Sequence, residues 1–407
     1  MDRVVVVGAS LAGMRAAETL RAEGFAGSLT VVGDETHAPY DRPPLSKQVL
    51  TGQWDADRIS LPSGAKPELE LTWERGVAAT GLDLSARELA LADGRTLSFD
   101  GLVIATGAAA RWIPGSRGIP GVFTLRTLDD ALGILAALDA GARRVVVVGA
   151  GFIGAEVAAS CRARGLAVTM VEPLPQPLSR VLGDVIGGVV AEVHVEHGVD
   201  LRLGVGVEDI EAGDGGVERV RLSDGTTVET DLVVVGIGVI PNTYWLEGSG
   251  LVIDDGVLCD ETTLAAPGVV AAGDVARWPN PLFGEVMRVE HWEHAIDMGA
   301  HAARRLLAES GVGSGLGSVE PYGPVPWFWS DQYDRKLQLA GRVRPDDELV
   351  VVAGSLAERR FTALYGRNGK VTGAFAMNMP ARVVKYRGAI AAGLTWDGAL
   401  AEAALAG

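Results

Sequence analysis

The chain has 407 residues, 48% of them hydrophobic and 22% charged, so it is long enough for two or three domains with sizeable cores. Its formal net charge of −16 argues against nucleic acid as a partner. Only two cysteines occur, Cys161 and Cys259, which disfavours a disulfide framework or a cysteine-rich metal site and is typical of the reducing cytoplasm. No apolar run approaches the roughly 20 residues of a membrane helix, so we predict a cytoplasmic protein without a membrane segment.

The chain opens with four consecutive valines, residues 4–7, after Arg3. Such a run is typical of a strand that is buried on both faces of a parallel sheet. Gly8 and Gly13 interrupt the run and no cleavage-type segment follows, so we interpret it as a strand and not as a signal peptide. The turn between the two glycines leads into a helix that is predicted to reach Glu23.

The same order of strand, glycine-rich turn, helix and strand occurs twice. The first copy covers residues 3–35 and ends at Asp34 and Glu35. The second copy begins with a strand over residues 145–148 and ends at Glu172. Two copies in this context are a much more specific signal than one glycine-rich turn, because such turns without a nucleotide are common.

The spacing of the glycines predicts a dinucleotide site in each copy. In the second copy, Gly149 permits the tight turn, Gly151 lets the backbone approach a pyrophosphate, and Gly154 lets helix and strand pack closely. The acid about 20 residues further on is placed to bind the ribose hydroxyls. The first copy departs from the pattern, since Ser10 occupies the position of the middle glycine.

Three further predicted strands end in small residues. They end at Ala105-Thr106-Gly107, at Gly236-Ile237-Gly238 and at Ala272-Gly273-Asp274. Each glycine alone indicates no more than a turn. Together they are typical of the carboxyl edge of an open sheet, where ligands bind.

The C-terminal part of the chain differs from the rest in pattern and charge. Alternating strands are predicted over residues 337–340, 349–352 and 361–365, which favours an antiparallel sheet. The glycine- and serine-rich stretch 311–318 before them is typical of a flexible linker. Residues 335–387 contain eleven basic and four acidic residues, a charge of +7, so the rest of the chain carries −23. This segment is either a basic docking surface or an ordinary solvated one.

Two histidine pairs attract attention as possible metal ligands. His291 and His294 lie among Glu290 and Glu293, but no further ligand is near in sequence, so we predict no metal. We expect His194 and its neighbour three residues on, His197, to lie on a solvated helix surface.

Several motifs together resemble one known family. They are Pro39-Tyr40-Asp41-Arg42-Pro43-Pro44-Leu45-Ser46-Lys47, Ala105-Thr106-Gly107, Gly149 to Glu156, Ala272-Gly273-Asp274, Val289-Glu290-His291-Trp292, and Trp327-Phe328-Trp329-Ser330-Asp331-Gln332. Over essentially its whole length the chain resembles the ferredoxin reductases of oxygenase systems, such as putidaredoxin reductase and the biphenyl-dioxygenase reductases. These share their architecture with glutathione reductase and with apoptosis-inducing factor.

The resemblance implies an α/β fold with two Rossmann-like dinucleotide-binding domains, one for FAD and one for NAD, and a C-terminal α+β domain. The expected bounds are 1–110 and 242–319 for the FAD domain, 111–241 for the NAD domain, and 320–407 for the last. The FAD-site residues that it implies are Gly8, Ser10, Leu11, Ala12, Gly13, Asp34, Glu35, Arg42, Lys47, Val77, Ala105, Thr106, Gly107, Arg126, Asp274, Glu290, His291, Trp292 and Trp329. Asp274 is expected at the start of a helix.

For the second dinucleotide, the resemblance implies Gly149, Gly151, Phe152, Ile153, Gly154, Glu172, Arg180, Gly236 and Gly238. A carboxylate at the position of Glu172 binds the ribose diol of adenosine and repels a 2′-phosphate, so NADH is expected to be preferred. Arg180 is placed to touch adenosine or to tolerate a phosphate, so strict selectivity does not follow from the sequence.

The catalytic residues implied by the family are Lys47, Glu156 and Trp329. In the family Lys47 and Glu156 correspond to residues near the N5 edge of the flavin, where an ion pair keeps the lysine charged. The alternative is that Glu156 complements its helix N-terminus and Lys47 extends into solvent.

The sequence also lacks a feature that some relatives possess. Disulfide-reducing members carry a cysteine pair beside the flavin and peroxidases carry one cysteine, whereas Ser46 lies in the corresponding loop here. We therefore predict electron transfer from NADH through FAD to a [2Fe–2S] ferredoxin, which the +7 segment is expected to bind. The alternatives are an NADH oxidase or rubredoxin reductase, and a redox sensor like apoptosis-inducing factor. The oligomeric state does not follow from the sequence.

Overall fold

The computed structural model describes residues 1–62, 66–310 and 319–406 of the chain. Its backbone divides into two compact units. The first unit comprises residues 1–41, 59–109 and 240–326, and the second comprises residues 42–58, 110–239 and 327–407. The stretch 311–318, predicted to be a linker, lies outside the described residues.

We number the elements in chain order. The α-helices of the described residues are α1 (Leu11–Ala22), α2 (Leu128–Asp139), α3 (Phe152–Ala163), α4 (Ser179–Glu196), α5 (Trp292–Ser310), α6 (Pro380–Ala391) and α7 (Trp396–Ala406). Within that part of the chain, no helix combines the length and the apolar character needed to span a membrane.

The strands are β1 (Arg3–Val7), β2 (Ser28–Gly33), β3 (Leu71–Arg75), β4 (Ala79–Asp83), β5 (Glu88–Leu91), β6 (Thr96–Ser98), β7 (Gly101–Ile104), β8 (Ala108–Ala110), β9 (Val122–Thr124), β10 (Arg144–Val148), β11 (Ala167–Glu172), β12 (Asp200–Leu203), β13 (Val207–Gly213), β14 (Gly216–Leu222), β15 (Thr227–Glu229), β16 (Leu232–Val235), β17 (Val239–Pro241), β18 (Val257–Leu258), β19 (Leu264–Ala266), β20 (Val269–Ala271), β21 (Ala276–Asn280), β22 (Glu285–Met287), β23 (Trp327–Gln332), β24 (Arg335–Gly341), β25 (Glu348–Ser355), β26 (Arg360–Arg367) and β27 (Lys370–Met377).

The first unit is built on a six-stranded sheet with the order β19-β20-β7-β1-β2-β3. Its neighbouring strands are parallel except for β19 and β20. The valines of β1 are buried because this strand lies in the interior of the sheet, which confirms the predicted N-terminal strand. Helix α5 packs tightly on α1, since a Cβ on Gly299 would lie 2.5 Å from the carbonyl oxygen of Ala12.

The second unit contains a parallel five-stranded sheet with the order β12-β11-β10-β16-β9. Strand β10 has the same sequence as β1 and pairs with its neighbour in the same register. Arg3 lies opposite Ser28, and Arg144 lies opposite Ala167. The predicted internal repeat is therefore a structural repeat.

An aspartate holds each copy of the repeat at the start of its central strand. Asp100 accepts hydrogen bonds from the backbone N–H groups of Asp2 and Arg3 and pairs with the Arg3 guanidinium. Asp231 makes the same contacts at the start of β10. The hydrogen bond from Arg144 lowers the pKa of Asp231 to about 2. The repeat thus includes the start of each central strand as well as the glycine-rich turn at its end, and the glycine motifs alone did not reveal this.

The C-terminal sheet of the second unit is antiparallel, with the order β23-β24-β27-β26-β25. The three predicted C-terminal strands lie within β24, β25 and β26, so that prediction is confirmed. Strands β23 and β27 and the helices α6 and α7 were not predicted. The sequence of β23 carries no strand pattern, because its aromatic residues do not alternate with polar ones.

The expectation of a solvated surface is wrong for His194, whereas His197 is half-buried. His194 is fully buried, and its Nδ1 lies 2.8 Å from the hydroxyl oxygen of Tyr333. The ring of His197 stacks on the same tyrosine, with centroids 3.8 Å apart. The helix pattern did not reveal this burial, because the covering residue comes from a turn 139 positions along the chain.

The first unit also buries a histidine in an aromatic cluster. His294 of α5 stacks on Trp278 at 4.8 Å, and its Nδ1 lies 3.3 Å from the hydroxyl oxygen of Tyr322. Burial lowers the pKa of His294 to about 3, with a further lowering by His291 and an opposing effect of Asp274. The native imidazole is therefore neutral near neutral pH.

Because the folded pKa of His294 lies below the unfolded value of about 6.5, unfolding takes up a proton below that pH. Stability should therefore fall with decreasing pH, by about 2 kcal/mol from this residue between pH 7.5 and 5. Urea unfolding of the wild type and of His294→Phe at both pH values checks this. The variant should lose about 2 kcal/mol less over the interval, and an equal loss in both proteins would contradict the assignment.

Candidate functional site

The glycine-rich turn of the first unit depends on very close backbone contacts. Gly8 has a φ of +119°, and a Cβ there would lie 2.1 Å from the carbonyl oxygen of Ala105. A Cβ on Gly13 would lie 1.9 Å from the carbonyl oxygen of Gly8. Neither position accommodates a side chain, so β1 and α1 meet at a distance that only glycine allows.

The turn of the second unit repeats these contacts. A Cβ on Gly149 (φ +98°) would lie 2.4 Å from the carbonyl oxygen of Gly236, and one on Gly154 would lie 2.0 Å from that of Gly149. Gly151 differs, because a Cβ there would meet nothing within 4 Å. This open space at the N-terminus of α3 fits the pyrophosphate of a dinucleotide.

Ser10 occupies the matching position at the start of α1. Its backbone is extended like that of Gly151, and its side chain makes no capping hydrogen bond to the helix. The Ser10 hydroxyl therefore adds a polar group to the turn and does not cap α1. Leu11 and Ala12 then begin α1, as Phe152 and Ile153 begin α3.

At the carboxyl end of β2, the predicted acids have different environments. Asp34 is exposed, whereas Glu35 is half-buried and accepts a hydrogen bond from the Tyr40 hydroxyl at 2.5 Å. Val77 lies at the same end, since its N–H donates to the carbonyl oxygen of Gly33 at 3.0 Å. Glu35 is thus the better oriented of the two carboxylates.

The strand end at residues 105–107 is held by Asn242. The Asn242 side chain donates to the carbonyl oxygen of Thr106 at 2.9 Å, and the Thr106 hydroxyl donates to that of Asn242 at 2.8 Å. Gly107 follows with a φ of +64°. The reciprocal bonds give this strand end a defined conformation.

Asp274 lies in a single 3₁₀ turn, Gly273–Val275, which is followed by strand β21. The expected helix start is therefore limited to one turn, because residues 276–280 alternate between buried and half-buried positions as a strand does. Arg288 donates to the carbonyl oxygen of Asp274 at 3.3 Å and pairs with Glu290 at 2.6 Å. This arginine was missed in the sequence.

The remaining residues predicted in the first unit lie around the start of α5. His291 immediately precedes the helix, and Trp292 begins it. The Trp292 indole donates to the Asp41 carboxylate at 2.8 Å. Asp41 belongs to the motif from Pro39 to Lys47, so two separate family motifs meet here.

At the end of β11, the Glu172 carboxylate is held by hydrogen bonds beside the second glycine-rich turn. Its Oε2 accepts from the backbone N–H of Ala150 at 2.8 Å, and its Oε1 accepts from that of Leu174 at 3.0 Å. The carboxylate is thereby fixed beside the second glycine-rich turn. Arg180, by contrast, is exposed on the first turn of α4.

The strand end at residues 236–238 lies next to the same turn. The N–H of Gly236 donates to the carbonyl oxygen of Val148 at 2.7 Å, and the carbonyl oxygen of Gly238 accepts from the backbone N–H of Arg111 at 2.9 Å. Gly149 and the Gly236 carbonyl oxygen are in close contact at the carboxyl edge of the parallel sheet, where the sequence predicted both strand ends to lie.

The predicted ion pair is present in the second unit. Lys47 lies on a short π-helix, Leu45–Val49, and its Nζ is 2.8 Å from Oε2 of Glu156. Glu156 is only 3% exposed and accepts further hydrogen bonds from Ser46 and Ser330. The alternative, with Lys47 extending into solvent, is wrong. The two serines were missed, although each lies inside a motif that had been singled out.

Two other predicted residues of this unit contact each other. The Arg42 guanidinium donates to the carbonyl oxygen of Arg126 at 2.6 Å. The backbone N–H of Arg126 donates to Asp130, whose carboxylate also closes the capping box of α2 with Thr127. The two arginines are thus positioned by the N-terminus of α2.

An aromatic side chain of β23 packs on the start of α3. Phe328 packs edge-on against Phe152 with centroids 4.5 Å apart, and Trp329 lies 5.4 Å from Trp327. Trp329 is half-buried. The motif in β23 and the second glycine-rich turn therefore belong to one environment.

The two thiols lie in the protein interior. Cys161 and Cys259 are 0% and 5% exposed, and burial raises the pKa of each to about 12. Neither therefore forms a thiolate near neutral pH. Among the described residues, no group of three potential metal ligands occurs.

Comparison with known proteins places the chain in a family. Residues 2–299 match the family described as pyridine nucleotide-disulphide oxidoreductase, and residues 327–405 match the domain described as reductase C-terminal. The chain belongs to this family, an expected result for two matched glycine-rich turns on parallel sheets. It is therefore an oxidoreductase that uses FAD and NAD(H), which confirms the predicted fold class, enzyme class and cofactors.

Individual relatives are similar over nearly the whole chain. Rhodocoxin reductase of Rhodococcus erythropolis is 38% identical over 93% of this chain and 86% of its own length. The ferredoxin–NAD(+) reductase component of the p-cumate 2,3-dioxygenase system of Pseudomonas putida is 38% identical over 84% and 81%. The crystal structure of a covalent putidaredoxin reductase–putidaredoxin complex matches with a TM-score of 0.88 at 34% identity, covering 96% of this chain and 93% of that one.

The glycines of the second turn should respond differently to alanine. Gly154→Ala places a Cβ against a backbone oxygen and should lower the unfolding free energy by about 3 kcal/mol. Gly151→Ala enters open space from an ordinary φ of −74° and should change it by less than about 1 kcal/mol. Urea unfolding of both variants is the measurement, and equal destabilisation would disprove the geometry described here.

Proposed function

We propose that this chain is an NADH:ferredoxin reductase that passes electrons through FAD to a [2Fe–2S] ferredoxin serving a monooxygenase or a ring-hydroxylating dioxygenase. The observation that carries the proposal is a pair of matched dinucleotide turns in a chain whose only two thiols are buried and protonated. Without a reactive thiol, electrons must leave the flavin for an acceptor outside the chain. The names of the relatives support a ferredoxin as that acceptor.

In this proposal the FAD domain comprises residues 1–110 and 242–319, the NAD domain residues 111–241, and the C-terminal domain residues 320–407. FAD, when bound, supplies a redox centre that takes a hydride from NADH and releases electrons one at a time. The first glycine-rich turn holds its pyrophosphate and Glu35 its ribose. The Tyr40 hydroxyl supports this role because it fixes the Glu35 carboxylate.

Lys47 and Glu156 act in this proposal as a charged pair next to the redox chemistry. The two side chains are mostly buried and their charged atoms are 2.8 Å apart, so the Lys47 ammonium stays beside the Glu156 carboxylate and does not extend into solvent. A fixed positive charge of this kind stabilises negative charge that develops beside it during hydride transfer. Trp329 is proposed to shield the same region from water.

Glu172 determines the choice of nicotinamide nucleotide in this proposal. Two backbone N–H groups hold its carboxylate, so it cannot turn away from a 2′-phosphate. The substitution Glu172→Gln tests this role, because it keeps the shape of the side chain and removes its negative charge. We expect the NADH/NADPH ratio of kcat/KM to fall by about tenfold or more, since like-charge repulsion of about 1 to 2 kcal/mol is lost.

Steady-state kinetics with both nucleotides measure that ratio. Glu218→Gln, which removes one charge from the same unit on strand β14, is the matched control and should leave the ratio unchanged. A ratio unaltered by Glu172→Gln would remove this residue from the role.

The C-terminal segment is proposed as the ferredoxin-binding surface. Of its eleven basic residues, Arg335, Lys336, Arg359, Arg367 and Lys385 have carboxylate partners, so part of the positive charge is compensated locally. Lys385 nevertheless remains 61% exposed on α6, beside the exposed apolar side chain of Val384. A basic and apolar surface of this kind suits an acidic electron carrier. We also propose that the protein acts in the cytoplasm.

NADH-driven reduction of cytochrome c, with and without [2Fe–2S] ferredoxins, tests the function. We expect a strong dependence on the ferredoxin and a KM for ferredoxin that rises with salt. Replacing Arg342, Arg344, Lys385 or Arg387 by glutamine should raise that KM severalfold, because attraction is lost. Arg219→Gln, on the exposed sheet of β13 to β15, is the control and should leave it unchanged.

The same assay separates the alternatives. Rapid consumption of oxygen without a carrier would identify an NADH oxidase, and preference for rubredoxin would identify a rubredoxin reductase. Slow turnover with every carrier would favour a redox sensor. A KM for ferredoxin that depends neither on salt nor on these basic residues would refute the docking surface but not the proposed reductase function.

A further inference from the structure

The Glu156 carboxylate is surrounded by hydrogen-bond donors of the second unit. Ser330 donates to Oε1 at 2.8 Å, while Ser46 and Lys47 contact Oε2 at 2.5 and 2.8 Å. A buried carboxylate needs such donors, because each unsatisfied oxygen would carry a desolvation penalty. Lys47 and Ser46 lie on one short helix, whereas Ser330 approaches Oε1 from β23. Oε1 therefore depends on a different part of the chain.

Behind Ser330 the polar contacts continue. The Gln332 amide nitrogen donates to the Ser330 hydroxyl oxygen at 3.2 Å, and both residues are at most 1% exposed. They lie two positions apart on β23, so their side chains project from the same face. Ser330 thus accepts from Gln332 and has its single proton left for Glu156.

The next group along is His194. Its Nε2 and the Gln332 Oε1 are both buried, and neither has a well-aligned hydrogen-bond partner within the described ranges. The Gln332 side chain partly opposes the burial that lowers the pKa of His194 to about 4. Because Nε2 is a possible donor and Oε1 is an acceptor, a contact between them would satisfy both buried atoms. At neutral pH the imidazole is neutral and carries one proton.

The outer end of the series is Tyr333, in the turn between β23 and β24. Its hydroxyl lies 2.8 Å from Nδ1 of His194, and its ring stacks on His197. Tyr333 has a φ of +56°, which is strained for a bulky residue. The fold thus keeps an unfavourable backbone conformation that brings this hydroxyl to His194.

These contacts have one consistent direction. If the Tyr333 hydroxyl donates to Nδ1, the proton of His194 resides on Nε2, facing Gln332 Oε1. Gln332 then donates to Ser330, and Ser330 donates to Glu156. With the contact between His194 and Gln332 included, every donor in the series points towards the carboxylate, an arrangement in which each bond polarises the next.

We propose that Tyr333, His194, Gln332 and Ser330 form a directed chain of hydrogen-bond donors that ends on Glu156, and that Ser330 is the positioning residue for the Glu156–Lys47 ion pair. The chain holds one carboxylate oxygen in place and stabilises its negative charge, which leaves the other oxygen to Lys47. This inference rests on the proposed role of the ion pair in flavin reduction.

Stability measurements test the directed chain without reference to catalysis. In FAD-loaded enzyme, Ser330→Ala and Tyr333→Phe should each shift the folding equilibrium towards the unfolded state, by about tenfold and about threefold respectively. In a Glu156→Gln background both shifts should shrink to less than half, because the charge that they serve is absent. Tyr333→Phe keeps the ring and the fold, so the test does not depend on Ser330→Ala folding.

Tyr365→Phe is the matched control. Tyr365 is a buried tyrosine of the same unit whose hydroxyl donates to the carbonyl oxygen of Leu182 at 2.8 Å, away from the directed chain. The shift that it causes should be the same in the wild-type background and in the Glu156→Gln background. If Tyr333→Phe and Ser330→Ala behave like this control, the directed chain is refuted.

Rapid-mixing measurements of flavin reduction by NADH provide the functional readout. Ser330→Ala should slow reduction severalfold, while Ser330→Thr, which keeps the hydroxyl, should restore the rate. Normal reduction in Lys47→Met and Glu156→Gln would refute the role of the ion pair but not the stability coupling. Failure of the proposed role is thus distinguishable from failure of the directed chain, which the stability measurements alone decide.

Discussion

The close approach of backbone to backbone at two glycine-rich turns is the constraint on which the rest of the structure depends. At Gly13 and Gly154 the place of a Cβ lies within 2.0 Å of a carbonyl oxygen, so helix and strand meet at a distance that no other residue permits. This contact directs the N-terminus of α1 or α3 towards the carboxyl edge of its sheet. A helix N-terminus in that position is an anion-binding site. The strand ends at residues 105–107 and 236–238 then complete each site.

The two copies differ in the side chains at their turns. Gly151 leaves open space, whereas Ser10 brings a hydroxyl into the matching position. In the first copy Glu35 is held by the Tyr40 side chain, and in the second Glu172 is held by the backbone N–H groups of Ala150 and Leu174. The shared parts, down to the aspartates at the sheet starts, preserve the sheet. The differing parts give the two turns different polar groups.

Burial of Glu156 imposes a second requirement on the fold. A carboxylate that is almost without solvent contact must be matched by donors, and the second unit supplies them from segments far apart in sequence. Its short helix at residues 45–49 is separated from the rest of the unit by a stretch that belongs to the first. The need to hold this charge gives a physical reason for the segment to fold with α3 and β23.

The sequence by itself determined the two dinucleotide turns, the parallel strands before them and the family to which the chain belongs. It could do so because glycine spacing and runs of valine reflect contacts between residues that are close in the chain. Only the tertiary structure decided that His194 is buried, that Arg288 holds the Asp274 turn and that Ser330 reaches Glu156. These contacts join residues between 14 and 174 positions apart, and no local periodicity records which distant side chain covers a given face.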